Sequence, residues 1–270
     1  MTIGALAASP PCAHGYCRPN GARAQRLRHP CARSFRMTGQ FPHVISSCAS
    51  PHSAGATALQ PPESAAPEDG LAGACLAALR EATRQQHAQL DAGLPVGRPG
   101  ATLQDYALHA VALSAWLQAL GPYLALGDEG LSASFIGRDT QRLQALRLDL
   151  EDAGGTAWPE PCAHTQATVT TAVARFPARQ AAVAWGIGYV VEGSQLGGQW
   201  LYRRLLSPLA PHPLRYLQGS GPETGARWRT FLADMDRRIR SPGDIDAACA
   251  GAQAAFEGLQ RRYGRWSLAA

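Results

Sequence analysis

The stretch Trp185-Gly186-Ile187-Gly188-Tyr189-Val190-Val191-Glu192-Gly193-Ser194-Gln195-Leu196-Gly197-Gly198 decides how this sequence folds. Strong helix formers flank it, yet five of thirteen residues from Gly186 to Gly198 are glycine. Each helical glycine costs roughly 1 kcal/mol relative to alanine, so the run calls for a compensating role. Gly193 and Gly197 are four apart and share a helix face, where missing side chains let a flat ligand approach the backbone. Close helix–helix packing, or a break or kink in the run, is the competing reading.

Outward from there the pattern is helical. The glycine-rich run belongs to a helix expected from about Gln180 to Leu206, after one near residues 163–176 that ends at Pro177. Leu143, Leu146 and Leu150 mark a helix closed by Gly154 and Gly155. Leu103, Tyr106, Ala110, Leu113, Leu117 and Leu120 form another, opened by a Thr102/Asp105 capping box. Leu76, Leu79, Thr83, His87 and Leu90 fall on one stripe, which sets His87 at an inward position. Toward the C-terminus a helix spans about Glu223 to Ile239. The last starts with Ser241 as cap, Pro242 at its first position and Asp244 in its first turn, and runs to about Trp266. No stretch alternates with period two, so the expectation is a single all-α domain of six to eight helices over residues 71–270.

Residues 1–70 are rich in Ala, Pro, Ser, Gly and His without sustained apolar periodicity, and are expected to be a disordered extension outside the fold. Arg18, Arg23, Arg26, Arg28, Arg33 and Arg36 precede the first acid, Glu63, a composition like an organelle transit peptide. An over-extended gene start, with Met37 as the internal one, fits as well. The apolar residues near Ile3 to Ala8 are too few for a secretory signal.

At 270 residues, 46% hydrophobic and 17% charged, the composition is that of a soluble globular protein with ample material for a core. The net charge of +5 is carried by arginine alone, a pattern of coding bias with no nucleic-acid motif beside it. Cys12, Cys17, Cys31, Cys48, Cys75, Cys162 and Cys249 include no Cys-x-x-Cys pair and read as reduced thiols of a cytoplasmic protein. No apolar run is long enough to span a membrane.

The other chemical segment is Leu79-Arg80-Glu81-Ala82-Thr83-Arg84-Gln85-Gln86-His87. A neutral imidazole is a good axial ligand for haem iron and leaves the opposite position for oxygen. Arg80 and Arg84, about two turns and one turn earlier, can meet carboxylates such as haem propionates. A hydrogen-bonded packing histidine beside a solvated basic flank is the plain alternative.

Taken together, the two segments resemble the biliverdin-producing haem oxygenases of bacteria. Leu79 to His87 is similar to the family's proximal helix, and Tyr189 to Gly198 to its distal helix in the Glu-Gly-Ser-x-Leu-Gly form. Gly225-Ala226-Arg227-Trp228-Arg229-Thr230-Phe231 and Ala254-Ala255-Phe256 extend the likeness over about residues 75–265. The resemblance implies haem b, both substrate and cofactor, sandwiched between proximal and distal helices with iron on His87. It also implies Arg80 as propionate partner, Gly193, Ser194 and Gly197 as distal wall, Tyr189 near the haem edge, and Arg138 ordering distal water. A propionate tyrosine is common in the last helix; Leu259 stands at the first place to look and Tyr263 one turn later. The implied reaction consumes O2 and external electrons from a reductase or ferredoxin, because the chain shows no nucleotide or flavin fingerprint. Biliverdin, carbon monoxide and ferrous iron leave, a biliverdin-using photoreceptor is an implied partner for the first, and the protein is expected to be a monomer or weak dimer. A di-iron oxidase needs Glu-x-x-His units that are absent here. A haem-binding protein without turnover, or a helical interaction module, remain open.

Overall fold

The computed structural model describes residues 73–155 and 157–267; the extension expected over residues 1–70 lies outside them. Among the described residues there are eight α-helices and no strand: α1 (Ala74–Gly93), α2 (Leu103–Leu124), α3 (Glu129–Asp152), α4 (Ala163–Arg175), α5 (Gln180–Leu205), α6 (Arg215–Gln218), α7 (Thr224–Arg238) and α8 (Pro242–Ser267).

Local chemistry sets most boundaries. The α2 capping box is present: the Asp105 N–H donates to Thr102 Oγ1 at 3.2 Å and the Thr102 N–H to Asp105 Oδ2 at 2.8 Å. At α8 the Asp244 N–H donates to Ser241 Oγ at 3.1 Å, as the sequence anticipates. α3 closes on Gly154 at φ 83°, with the Gly155 N–H on the Leu150 carbonyl at 2.8 Å and the Gly154 N–H on the Glu151 carbonyl at 3.0 Å. A left-handed residue there satisfies two carbonyls that the helix leaves unpaired.

Two elements depart from expectation. α3 starts fourteen residues before Leu143, where the Asp128 side chain accepts the Leu131 N–H at 3.0 Å. Among the side chains described in its first turns, Leu131 and Phe135 are the large buried groups, too sparse a stripe to read as amphipathic. The short α6 has no local signal. Its N-terminal amides, Arg215 N–H and Tyr216 N–H, each donate at 2.9 Å to the carboxylate of Asp149, far back in α3.

α8 is the spine, packed on α5, α1 and α4, and α2 lies along α3. Gly186 of α5 faces the Ala248 carbonyl of α8 so closely that a Cβ would overlap it; Gly251 of α8 faces the Val183 carbonyl likewise. The two helices therefore meet backbone to backbone. Trp116, wholly buried, donates its indole N–H to the Ala255 carbonyl at 2.9 Å and ties α2 to the same spine.

Candidate functional site

His87 is not inward. The buried line of α1 is Cys75, Leu79 and Thr83, and steps of four advance about 40° past each full turn. By the third step His87 has rotated out to the flank, with 63% of its side chain exposed. It shares that open face with Arg80, Arg84 and Asp91. Its Nδ1 meets Asp91 Oδ2 at 2.9 Å, leaving Nε2 as the nitrogen available to a ligand. The hydrogen bond that Nδ1–H donates to Asp91 is the main cause raising the imidazole pKa above its ordinary value, against burial, which lowers it. The ring stands edge-on to Phe256 of α8, centroids 5.8 Å apart. Arg84 pairs with Glu81 in the preceding turn.

α5 reaches this face through Tyr189. Its hydroxyl hydrogen-bonds Thr83 and lies in the field of Arg80; burial raises its pKa, while those two contacts oppose the rise. The Tyr189 ring packs on Trp228 of α7 at 5.5 Å. Trp228 in turn covers Gly193, where an added Cβ would lie 3.6 Å from the indole. One turn on, a Cβ at Gly197 would meet nothing within 4 Å, and the position is exposed. Thus the glycine run divides. Gly186 serves the seam with α8, a Cβ at Gly188 would lie 3.2 and 3.3 Å from Leu131 and Phe231, and one at Gly198 would lie 3.8 Å from Leu217. Close packing accounts for Gly186, Gly188 and Gly198, while Gly197 alone of the five leaves unfilled space.

Ser194 turns away from that open face. Its hydroxyl donates to the Val191 carbonyl at 2.7 Å and hydrogen-bonds Tyr216, whose hydroxyl also accepts from Gln195 Nε2 at 3.0 Å. Beside it Glu192, 5% exposed, accepts from Arg142 at 2.7 Å and has Arg138 at 3.7 Å. Arg138 and Arg142 are four apart on α3 and both reach one carboxylate on α5. Burial works to lower the Arg142 pKa, but the Glu192 charge and hydrogen bond more than offset it. Asp139 has its carboxyl pKa raised by burial, against the lowering influence of Arg142.

Tyr263 stands apart from the His87 face. Its hydroxyl is 2.6 Å from His109 Nδ1 in the core, and the rings stack at 5.9 Å. Burial pushes the His109 pKa down to about 4. The structure therefore brings His87, Arg80, Arg84 and Tyr189 to one region, with Gly193 joined to it through Trp228. Arg138 and Ser194 lie on the inner side of α5, and Tyr263 on the α2 side. Two residues were missed. Asp91 was readable as an acid four after His87 on a helix; Arg142 was not, because its role depends on the unrecognised length of α3.

No helix among the described residues is long and apolar enough to cross a membrane. Residues 74–262 match the family model described as Heme oxygenase. An 82-residue stretch is 43% identical to a protein of Xanthomonas campestris pv. campestris (strain 8004) named "Heme oxygenase", covering 30% of this chain and 49% of that protein. The chain thus aligns with about half the length of that curated relative.

Proposed function

Because the chain belongs to the heme oxygenase family, we propose that it oxidatively cleaves haem to biliverdin, carbon monoxide and ferrous iron. The observation that carries this reading is the exposed His87 imidazole, whose Nδ1 is held by Asp91 and whose Nε2 is left free to bind metal. The open face fits a large planar anion. A histidine stands on α1 with Arg80 and Arg84 beside it, and α5 offers unfilled space at Gly197.

His87 would hold the haem iron through Nε2. When bound, the haem supplies both the redox-active iron and the porphyrin carbon that is oxidised. Asp91 keeps the imidazole oriented and more basic, as carboxylate partners of metal-bound histidines do. Arg80 and Arg84 provide positive charge for propionates. Gly197 keeps the α5 side free of bulk, Gly193 stands one turn before it under Trp228, and Ser194 backs that wall from behind through Val191 and Tyr216. Arg138, which shares Glu192 with Arg142 on the inner side of α5, would order water from behind Gly193. Tyr189 lies near Arg80 at the edge of the site. The His109 contact gives Tyr263 a packing role in place of a propionate contact.

In this reading O2 is co-substrate and a separate reductase or ferredoxin delivers the electrons. Residues 71–270 form the functional domain, in a cytoplasmic monomer or weak dimer whose biliverdin is available to a photoreceptor. The test is to add hemin and then ascorbate or a ferredoxin system in air. Loss of the Soret band with growth of biliverdin absorbance in the red is expected. A stable haem complex that never turns over would instead establish a haem-binding protein.

A further inference from the structure

We propose that Gln253 and Gln260 are positioning residues for His87, tying α1 to α8 through the backbone carbonyls of Ala82 and Gln86 before it and the Gln89 side chain after it; this rests on the reading of His87 as the haem ligand. Gln253 Nε2 donates to the Ala82 carbonyl at 3.0 Å. Gln260 Nε2 donates to the Gln86 carbonyl at 3.0 Å and to Gln89 Oε1 at 3.0 Å. The tie is returned by Gln86 Nε2, which donates to the Gln253 carbonyl at 3.1 Å. Ala82 with Gln253 and Gln89 with Gln260 share one residue offset, so the two helices ascend side by side and in register.

Gln253, Phe256 and Gln260 are spaced three and four apart and lie on one face of α8. The middle member is the ring against which His87 stands. One tie therefore falls on the α1 turn before the histidine and the other on the residue next to it. Helix carbonyls already accept a bond from their own ladder and use the second lone pair for these donors. The Gln86 Oε1 atom is buried without a hydrogen-bond partner, so the amide is turned to serve its donor rather than its acceptor.

The consequence is mechanical. His87 sits on the exposed flank of α1, where side-chain packing alone grips it weakly. Asp91 fixes how the imidazole turns about its own axis, while the seam with α8, the largest packing partner of α1, fixes how high and at what angle α1 presents it. The glutamine ties supply that second constraint before any ligand arrives.

The experiment uses the full chain as wild type, Gln260→Leu and Gln253→Leu/Gln260→Leu, which keep size and remove the donors. Amide hydrogen exchange is followed at residues 82–90 without haem, and the Fe–His stretching band is recorded on the ferrous haem complex. With two ties removed, exchange should quicken about tenfold, given the modest net worth of each hydrogen bond. The double variant should still take up haem, with a shifted or broadened Fe–His band, and Gln260→Leu should fall between. An unchanged band overturns the positioning role, even where exchange quickens, because the ties would then only hold the seam. If the double variant does not fold, Gln260→Leu alone decides by the same criterion. No Fe–His band in the wild type would overturn the ligand assignment itself, and this inference with it.

Discussion

Alanine at Gly186 and alanine at Gly197 should have opposite effects on the haem-free protein, although both lie in α5. At Gly186 a Cβ runs into the Ala248 carbonyl, and backbone cannot step aside as a flexible side chain would. Overpacking of this kind costs about 1–3 kcal/mol, and the rigid partner argues for the upper end. At Gly197 nothing lies within 4 Å of the new methyl group. Each substitution also removes a helical glycine, a gain of up to about 1 kcal/mol. That gain is common to both variants and cancels in their difference, which isolates the steric cost. For a domain of this size 1 kcal/mol shifts the midpoint by roughly 2–4 °C, so a cost near 3 kcal/mol separates the variants by roughly 6–12 °C. Thermal unfolding followed by circular dichroism at 222 nm reads this directly. Gly197→Ala should melt at or above the wild type and Gly186→Ala well below it. Midpoints within about 2 °C of one another would refute the backbone-to-backbone seam.

Gly197→Leu should bind haem on His87 yet turn over poorly, since the side chain fills the space beside the site; a normal biliverdin yield would count against the pocket. Buried His109, with its pKa near 4 in the fold against 6.5 in the unfolded chain, makes the unfolded state the better proton binder between those values. Stability should therefore fall by about 3 kcal/mol as pH drops from about 6.5 to about 4. Urea titrations should show His109→Gln flattening that decline, and parallel curves would contradict the assignment. Glu192→Gln takes the nearer of two carboxylates from buried Arg142, leaving Asp139 at 3.3 Å, and should cost about 1–3 kcal/mol. The pair Glu192→Leu/Arg142→Leu should recover much of this in a double-mutant cycle, whereas simple additivity would deny the coupling.

The sequence is most legible where structure is local. Thr102 with Asp105, Ser241 with Pro242, and Gly154 with Gly155 mark helix ends because each acts within five residues of itself. The start of α3 escaped since its cap, Asp128, precedes small residues rather than an apolar stripe. α6 could not be read at all, because the carboxylate that caps it belongs to Asp149 in another helix. The same distinction runs through the site. His87 and the glycine run stand out by residue type, but which glycine packs and which stays open is set by Ala248, Trp228 and Leu217 on other helices. The stripe from Leu76 to Leu90 includes His87, but the face α1 buries is centred on Cys75, Leu79 and Thr83, which leaves His87 at its edge. Tyr263 carries no mark in the sequence of its contact with His109, which comes from α2.

The central claim is that His87 holds haem, and titration of hemin into the wild type and into His87→Ala tests it most directly. The account predicts a saturable Soret band in the wild type, with a ferrous Fe–His stretch that the alanine variant lacks and that added imidazole restores. An alanine variant with the same band and the same affinity would contradict it.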